Sequence, residues 1–142
     1  MKVKKGNHCA YQTHYHIVFP VKYRKMLLEP RVEQSIVETS KAISERYELE
    51  FEQLGCDLNH IHILCSFHPK YSVSEVVRKL KSITARELFK KFPELKKELW
   101  GGEFWSGGYY VGTVDEGGGW NVVKKYVANQ GKDPEAEQLR LI

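Results

Sequence analysis

Hydrophobic and polar positions alternate along the chain with two periods, one of strands and one of helices. Residues 13–23 place Tyr15, Ile17 and Phe19 on one side and His14, His16 and Val18 on the other, which predicts a strand. Pro30 marks a helix start, and Val32, Ile36, Val37 and Ile43 recur at helical spacing to about Tyr47. Residues 49–57 and 58–67 read as two more strands, with a turn around Asp57-Leu58-Asn59. Ser72 can cap a long helix from Val73 to about Phe92, with Val73, Val76, Val77, Leu80 and Ile83 on its apolar stripe. Trp100-Gly101-Gly102 opens a segment rich in glycine and aromatics, with a strand at residues 109–114. Gly117-Gly118-Gly119 breaks the pattern, and residues 120–130 return to helical spacing before Gly131. Residues 131–142 are left as a tail. The order is βαββαβ with an added C-terminal helix. It predicts an α+β, ferredoxin-like antiparallel sheet, with helices on one face and the histidines of the first and third strands on an open face opposite.

Composition narrows the setting. At 142 residues, with no repeat, linker or low-complexity tract, residues 1–142 make one domain with a real core. No apolar run approaches the roughly 20 residues of a membrane span, and no secretory signal leads the chain. Cys9, Cys56 and Cys65 are odd in number and lack Cys-x-x-Cys spacing, so a reducing cytoplasm is expected. The formal net charge is only +4, but it is unevenly spread. Residues 1–25 carry six Lys or Arg and no acid, and residues 70–97 carry nine bases against Glu75, Glu87 and Glu94. Residues 29–57 carry eight acids and three bases. Such polarity suggests a face for a polyanion, and Lys4, Lys5, Lys22, Arg24, Arg78, Lys79, Lys81 and Arg86 are the candidate contacts to nucleic acid.

The candidate chemistry begins at His60-Ile61-His62. In the third strand Ile61, Ile63, Cys65 and Phe67 form the apolar face, and the two histidines point together to the other. Imidazoles at i and i+2 lie roughly 7 Å apart along a strand, close enough to share one metal ion. Imidazoles alone would suit Zn²⁺ or another transition metal. His14-Tyr15-His16 has the same spacing and parity, so spacing cannot rank the pairs, and one could stand behind the other. The last helix offers a partner. Trp120, Val122, Val123, Tyr126, Val127 and Gln130 share one arc, and Lys124 and Lys125 lie opposite. Tyr126 and Gln130, at i and i+4, face inward together, where a phenol and a carboxamide both need hydrogen-bond partners. A metal-capable pair, a hydroxyl nucleophile, an oxygen ligand and a basic surface are the parts for opening a phosphodiester.

At these residues the chain resembles the HUH single-tyrosine transposases of small insertion sequences, which move as single-stranded DNA. The matching segments are His14-Tyr15-His16-Ile17-Val18-Phe19, Lys22-Tyr23-Arg24, His60-Ile61-His62-Ile63-Leu64 and the stretch 73–80 with Lys81-Ser82 after it. Phe92-Pro93-Glu94-Leu95, Leu99-Trp100-Gly101-Gly102, Phe104-Trp105-Ser106 and Val122-Val123-Lys124-Lys125-Tyr126 with Gln130 complete the set. The resemblance implies that His60, His62 and Gln130 bind a divalent metal, Mg²⁺ or Mn²⁺, and that Tyr126 is the nucleophile. It further implies a 5′-phosphotyrosine intermediate, recognition of DNA hairpins at the element's ends, and a homodimer whose sites combine the His pair of one subunit with the tyrosine helix of the other.

Two departures stand out. Asn59 occupies a place often held by Asp, which removes a carboxylate from behind the His pair, and Gly107-Gly108 replaces a commoner Ser-Pro-like pair. Other readings are weaker. A non-catalytic RNA-binding sheet would carry paired aromatics and a Gly-Phe signature, and neither is present. A rolling-circle initiator or relaxase would share the His pair and tyrosine, but initiators commonly carry a lysine where Asn129 stands. A domesticated relative that processes genomic hairpin repeats has the same residues.

Overall fold

The computed structural model describes residues 3–6 and 9–114. It opens with a two-stranded hairpin, β1 (Lys4–Gly6) and β2 (Cys9–Tyr11), paired antiparallel. Then come β3 (Tyr15–Pro20), α1 (Pro30–Tyr47), β4 (Leu49–Asp57), β5 (His60–Phe67), α2 (Val73–Lys91) and β6 (Tyr110–Thr113). The main sheet has the order β4-β5-β3-β6 and every pair is antiparallel. That is the ferredoxin-like βαββαβ arrangement, as the alternation of periods predicts. The tyrosine helix expected at residues 120–130, with Tyr126, Gln130, the glycines before it and the tail, lies outside the described residues.

One face of the sheet makes the core. Ile17 and Phe19 of β3 and Ile61, Ile63, Cys65 and Phe67 of β5 pack with Val32, Ile36 and Ile43 of α1 and Val76, Val77, Leu80 and Leu88 of α2. Pro30 opens α1, and α1 ends at Glu48 in the left-handed region. α2 starts with a capping box: Ser72 Oγ accepts from Glu75 N–H at 3.1 Å, and Glu75 Oε1 accepts from Ser72 N–H at 3.0 Å. Both bounds of α1 and the start of α2 fall where the sequence puts them. The buried stripe of α2 continues through Thr84 and Leu88, while Ile83 is only half-buried.

Two expectations need correction. The first strand ends at Pro20, and Lys22–Arg24 forms a 3-10 turn in which Tyr23 has φ 59°. Val21 N–H to Asn59 O and Lys22 N–H to Phe104 O are the last bonds that hold the chain beside its neighbours, and the left-handed Tyr23 and Arg24 then turn the backbone away. The histidine face is also not open. His14, His16, Val18, His60, His62, Leu64 and Ser66 are all buried. The imidazoles are not splayed into water; they pack on one another, with His16 and His62 stacked at 5.2 Å and His60 edge-on to His62 at 4.9 Å.

Candidate active site

The site is built from β5 outward. Strand parity puts His60 and His62 on the same face, and the turn Leu58-Asn59 brings β5 back beside β4 in register, with Asp57 opposite His60 and Gly55 opposite His62. On the other side Pro20 of β3 is opposite His60 and Val18 opposite His62. The pair therefore sits on one central strand, β5, where the backbone is fixed on both sides.

Each ring is held through Nδ1. His60 Nδ1 lies 2.6 Å from Asn59 Oδ1, and since an amide oxygen only accepts, that nitrogen carries the proton. His62 Nδ1 lies 3.0 Å from His16 Nε2. In both rings the nitrogen that would ligate a metal is thus Nε2, with Nδ1 engaged behind it. Asn59 supplies an oxygen where the sequence suggested a loss, because a carboxamide accepts from an imidazole N–H as a carboxylate does, without the charge.

The rival pair divides its work. His16 backs His62, whereas His14 Nδ1 lies 3.1 Å from Glu52 Oε1, which also accepts from Ser66 Oγ at 3.3 Å. Glu52 reaches this face by strand alternation, since Leu49 and Phe51 on either side of Glu50 turn to the core, and β4 shifts register just after it, between Phe51 and Gln53. Tyr110 of β6 meets His16 edge-on at 5.7 Å. Its ring lies over Gly112, where a Cβ would come 2.7 Å from the phenol oxygen, so any larger residue at 112 would displace Tyr110. Glu52 and Tyr110 were not marked by the sequence, because Glu52 meets His14 and Ser66 only across strands and the small Gly112 that admits Tyr110 leaves no periodic signal.

Burial sets the charge state. It holds the His16 imidazole down to about 4. Burial first, then the neighbouring His60 and His16, takes His62 down to about 2. Both are neutral near pH 7, the form that binds a metal. Among the described residues no three His, Cys, Asp or Glu side chains are gathered as a metal cage. The imidazoles of His60 and His62, each with an ordered Nδ1 partner, fit two positions of a coordination sphere, and an oxygen ligand such as Gln130 would have to come from outside the described residues.

The basic residues separate by what they touch. Arg78 and Arg86 are exposed on α2, and Lys5 is exposed on β1. Lys4 pairs with Glu50, and Lys79 lies 5.1 Å over the Tyr47 ring. Lys22 pairs with Glu103 at 3.5 Å, and Arg24 follows in the same turn. Lys81 is a brace: its ammonium donates to Ser106 O at 2.6 Å and Gly108 O at 2.9 Å, and burial lowers its pKa. It ties α2 to the glycine-rich segment, where Trp105 Nε1 also donates to Thr84 Oγ1 at 2.9 Å. Lys81, Arg78 and Tyr109 line a cleft of about 460 Å³ between α2 and residues 102–107.

Known proteins share this chain's sequence and fold. The family model described as "Transposase IS200 like" matches residues 9–130. The chain belongs to the IS200-like transposases. This IS200-like chain is 32% identical over 130 residues to the ISDra2 transposase TnpA of Deinococcus radiodurans, covering 92% of each chain. It is 31% identical over 135 residues to the transposase for insertion sequence element IS200 of Salmonella typhimurium, covering 94% of this chain and 88% of that one. A crystal structure of a transposase from Deinococcus radiodurans R1 superposes with a TM-score of 0.72 at 31% identity, covering 89% of this chain and 97% of that one. A REP-associated tyrosine transposase bound to a REP hairpin shares the fold, with a TM-score of 0.62 at 10% identity over 89% of this chain and 72% of that one. The transposase is an enzyme of DNA transposition. Among the described residues no helix is long and apolar enough to cross a membrane.

Proposed function

We propose that this transposase cleaves and rejoins single-stranded DNA through a covalent bond to Tyr126, with His60, His62 and Gln130 holding a divalent metal. The observation that carries the reading is the His60–His62 pair, buried and oriented through Nδ1 by Asn59 and His16, with His62 held neutral by burial. Nitrogen donors match Mn²⁺ more readily than Mg²⁺, which prefers a sphere of oxygens. When bound, the ion would draw charge from a non-bridging oxygen of the scissile phosphate. The Tyr126 hydroxyl attacks phosphorus and loses its proton. The bond to the 3′ oxygen breaks, and that oxygen leaves as a 3′ hydroxyl. Tyr126 keeps the 5′ phosphate as an ester, so the reverse attack by a 3′ hydroxyl reseals a strand without an external energy source.

The substrate we infer is a DNA hairpin with single-stranded flanks at the element's ends. Arg78, Arg86, Lys5, Lys22 and Arg24 would contact its phosphates, Lys4 and Lys79 at the margin, and Lys81 would shape the cleft. The family relationship and a hairpin-bound protein of the same fold support this partner. The working unit we infer is a homodimer with sites shared between subunits.

The test is a labelled single-stranded hairpin substrate incubated with Mn²⁺. His60→Ala and His62→Ala should each abolish metal-dependent cleavage. Asn59→Ala, which leaves His60 Nδ1 without its amide oxygen, should weaken Mn²⁺ binding about 10- to 100-fold by calorimetry. Full cleavage by the His60→Ala, His62→Ala double variant would remove the pair from the mechanism.

A further inference from the structure

Two aromatic rings stand in solvent beside the His60 end of the sheet. Trp100 is 83% exposed and Tyr23 is 57% exposed, although rings of this size are among the side chains most worth burying. Their backbones are held in place deliberately. Tyr23 and Arg24 both adopt left-handed φ, 59° and 52°, which side-chain-bearing residues avoid and which concentrates at functional sites. Gly101 and Gly102 take φ 80° and 74°, and a Cβ at either would find nothing within 4 Å, so the space beside Trp100 is clear. The two turns are joined, with Tyr23 Oη donating to Trp100 O at 3.3 Å and Lys22 N–H to Phe104 O at 2.8 Å.

The rim of this patch is basic. The Tyr23 turn brings Lys22, Arg24 and Lys25, and the 3-10 helix Pro93–Glu98, just before Trp100 in the chain, carries Lys96 and Lys97. Lys22 Nζ lies 5.6 Å from the Tyr23 ring centroid. The acids nearby, Glu103 and Glu98, meet Lys22 and Lys25 in open ion pairs of 3.5 and 4.0 Å, which water screens and a phosphate can displace. The place matters as well. Pro20 is opposite His60, and the next residue, Val21, donates its N–H to Asn59 O at 2.9 Å. The backbone therefore leads from the His pair directly onto the Tyr23 turn.

We propose that Trp100 and Tyr23 form a stacking platform for an unpaired base next to the scissile phosphate, with the surrounding Lys and Arg on the adjoining phosphates. The inference rests on the single-stranded DNA reading above and names the part of the substrate this surface takes. Every base presents a π-face, so such a platform holds a strand without reading its sequence. A second copy of the chain fits less well, because its matching patch would bring a second basic rim against the first.

Fluorescence anisotropy with full-length protein tests it, using a hairpin with a single-stranded flank and the same hairpin cut flush. Trp100→Ala should weaken binding of the flanked hairpin about tenfold and leave the flush hairpin unchanged. Trp100→Phe should keep most of the affinity. An abasic nucleotide at one flank position should lower wild-type affinity and erase the difference from Trp100→Ala. Unchanged affinity of Trp100→Ala for the flanked probe would overturn the platform, and so would equal loss on both probes. A shift of that variant to monomer in sedimentation would instead make the patch a contact between copies. Wild-type protein that binds neither probe would defeat the single-stranded DNA reading itself, and the platform with it.

Discussion

At His62 burial and function make the same demand. The imidazole is fully buried, its neighbours are His60 and His16, and a proton there would add charge with little water to solvate it. The sign of the pH effect follows. Below about pH 6.5 the unfolded chain protonates His16 and His62, while the folded chain keeps them neutral until about 4 and about 2. The unfolded state binds more protons in that window, so stability is full above about pH 6.5 and falls as pH drops, by up to about 1.4 kcal/mol per pH unit for each imidazole. Urea unfolding of metal-free protein at pH 7.5, 6.0 and 5.0 should show the loss, and His16→Gln should flatten it. A wild-type profile no steeper than that of His16→Gln would contradict it. What the sequence made legible here was the pair, through strand parity. It could not choose between the two His-x-His motifs, because the choice depends on cross-strand register: His16 falls diagonal to His62, and His14 falls near Glu52.

At the scale of elements, the long helices were legible because their signals are local. Pro30 and the Ser72/Glu75 box each sit at the start of a helix and act through their own backbone. Ser72→Ala should therefore destabilise the protein by about 1 kcal/mol, read as a lower midpoint in urea with unchanged slope. No change in midpoint would mean that packing of Val76, Val77 and Leu80 alone fixes the start of α2. The hairpin of β1 and β2 was missed because strands of three residues are too short to show alternation, and it is held by contacts distant in sequence, such as Lys4 with Glu50 and Cys9 Sγ with His68 Nε2 at 3.2 Å. The Tyr23 turn was read as strand for the opposite reason. Its side chains alternate acceptably, and the left-handed backbone of Tyr23 and Arg24, which turns the chain away, leaves no mark in that alternation.

For the whole molecule, the His60–His62 pair is held in the sheet, and the helix that the sequence predicts around Tyr126 lies outside the described residues. If the tyrosine helix serves the partner's histidines, mixing Tyr126→Phe protein with the His60→Ala, His62→Ala protein should restore cleavage, because one site of a mixed dimer is then complete. Sites built within one subunit would each lack a part, so exchange of tagged subunits without rescue would refute the shared site. The central claim is the covalent one, and it has a direct readout. Wild-type protein, Mn²⁺ and a single-stranded hairpin labelled at its 3′ end should give a protein–DNA adduct that survives denaturing electrophoresis. Proteolysis and mass spectrometry should place the 5′ phosphate on Tyr126, and Tyr126→Phe should bind the hairpin but form no adduct. Cleavage without any adduct, or an adduct on Tyr109 or Tyr110 that persists in Tyr126→Phe, would contradict the account.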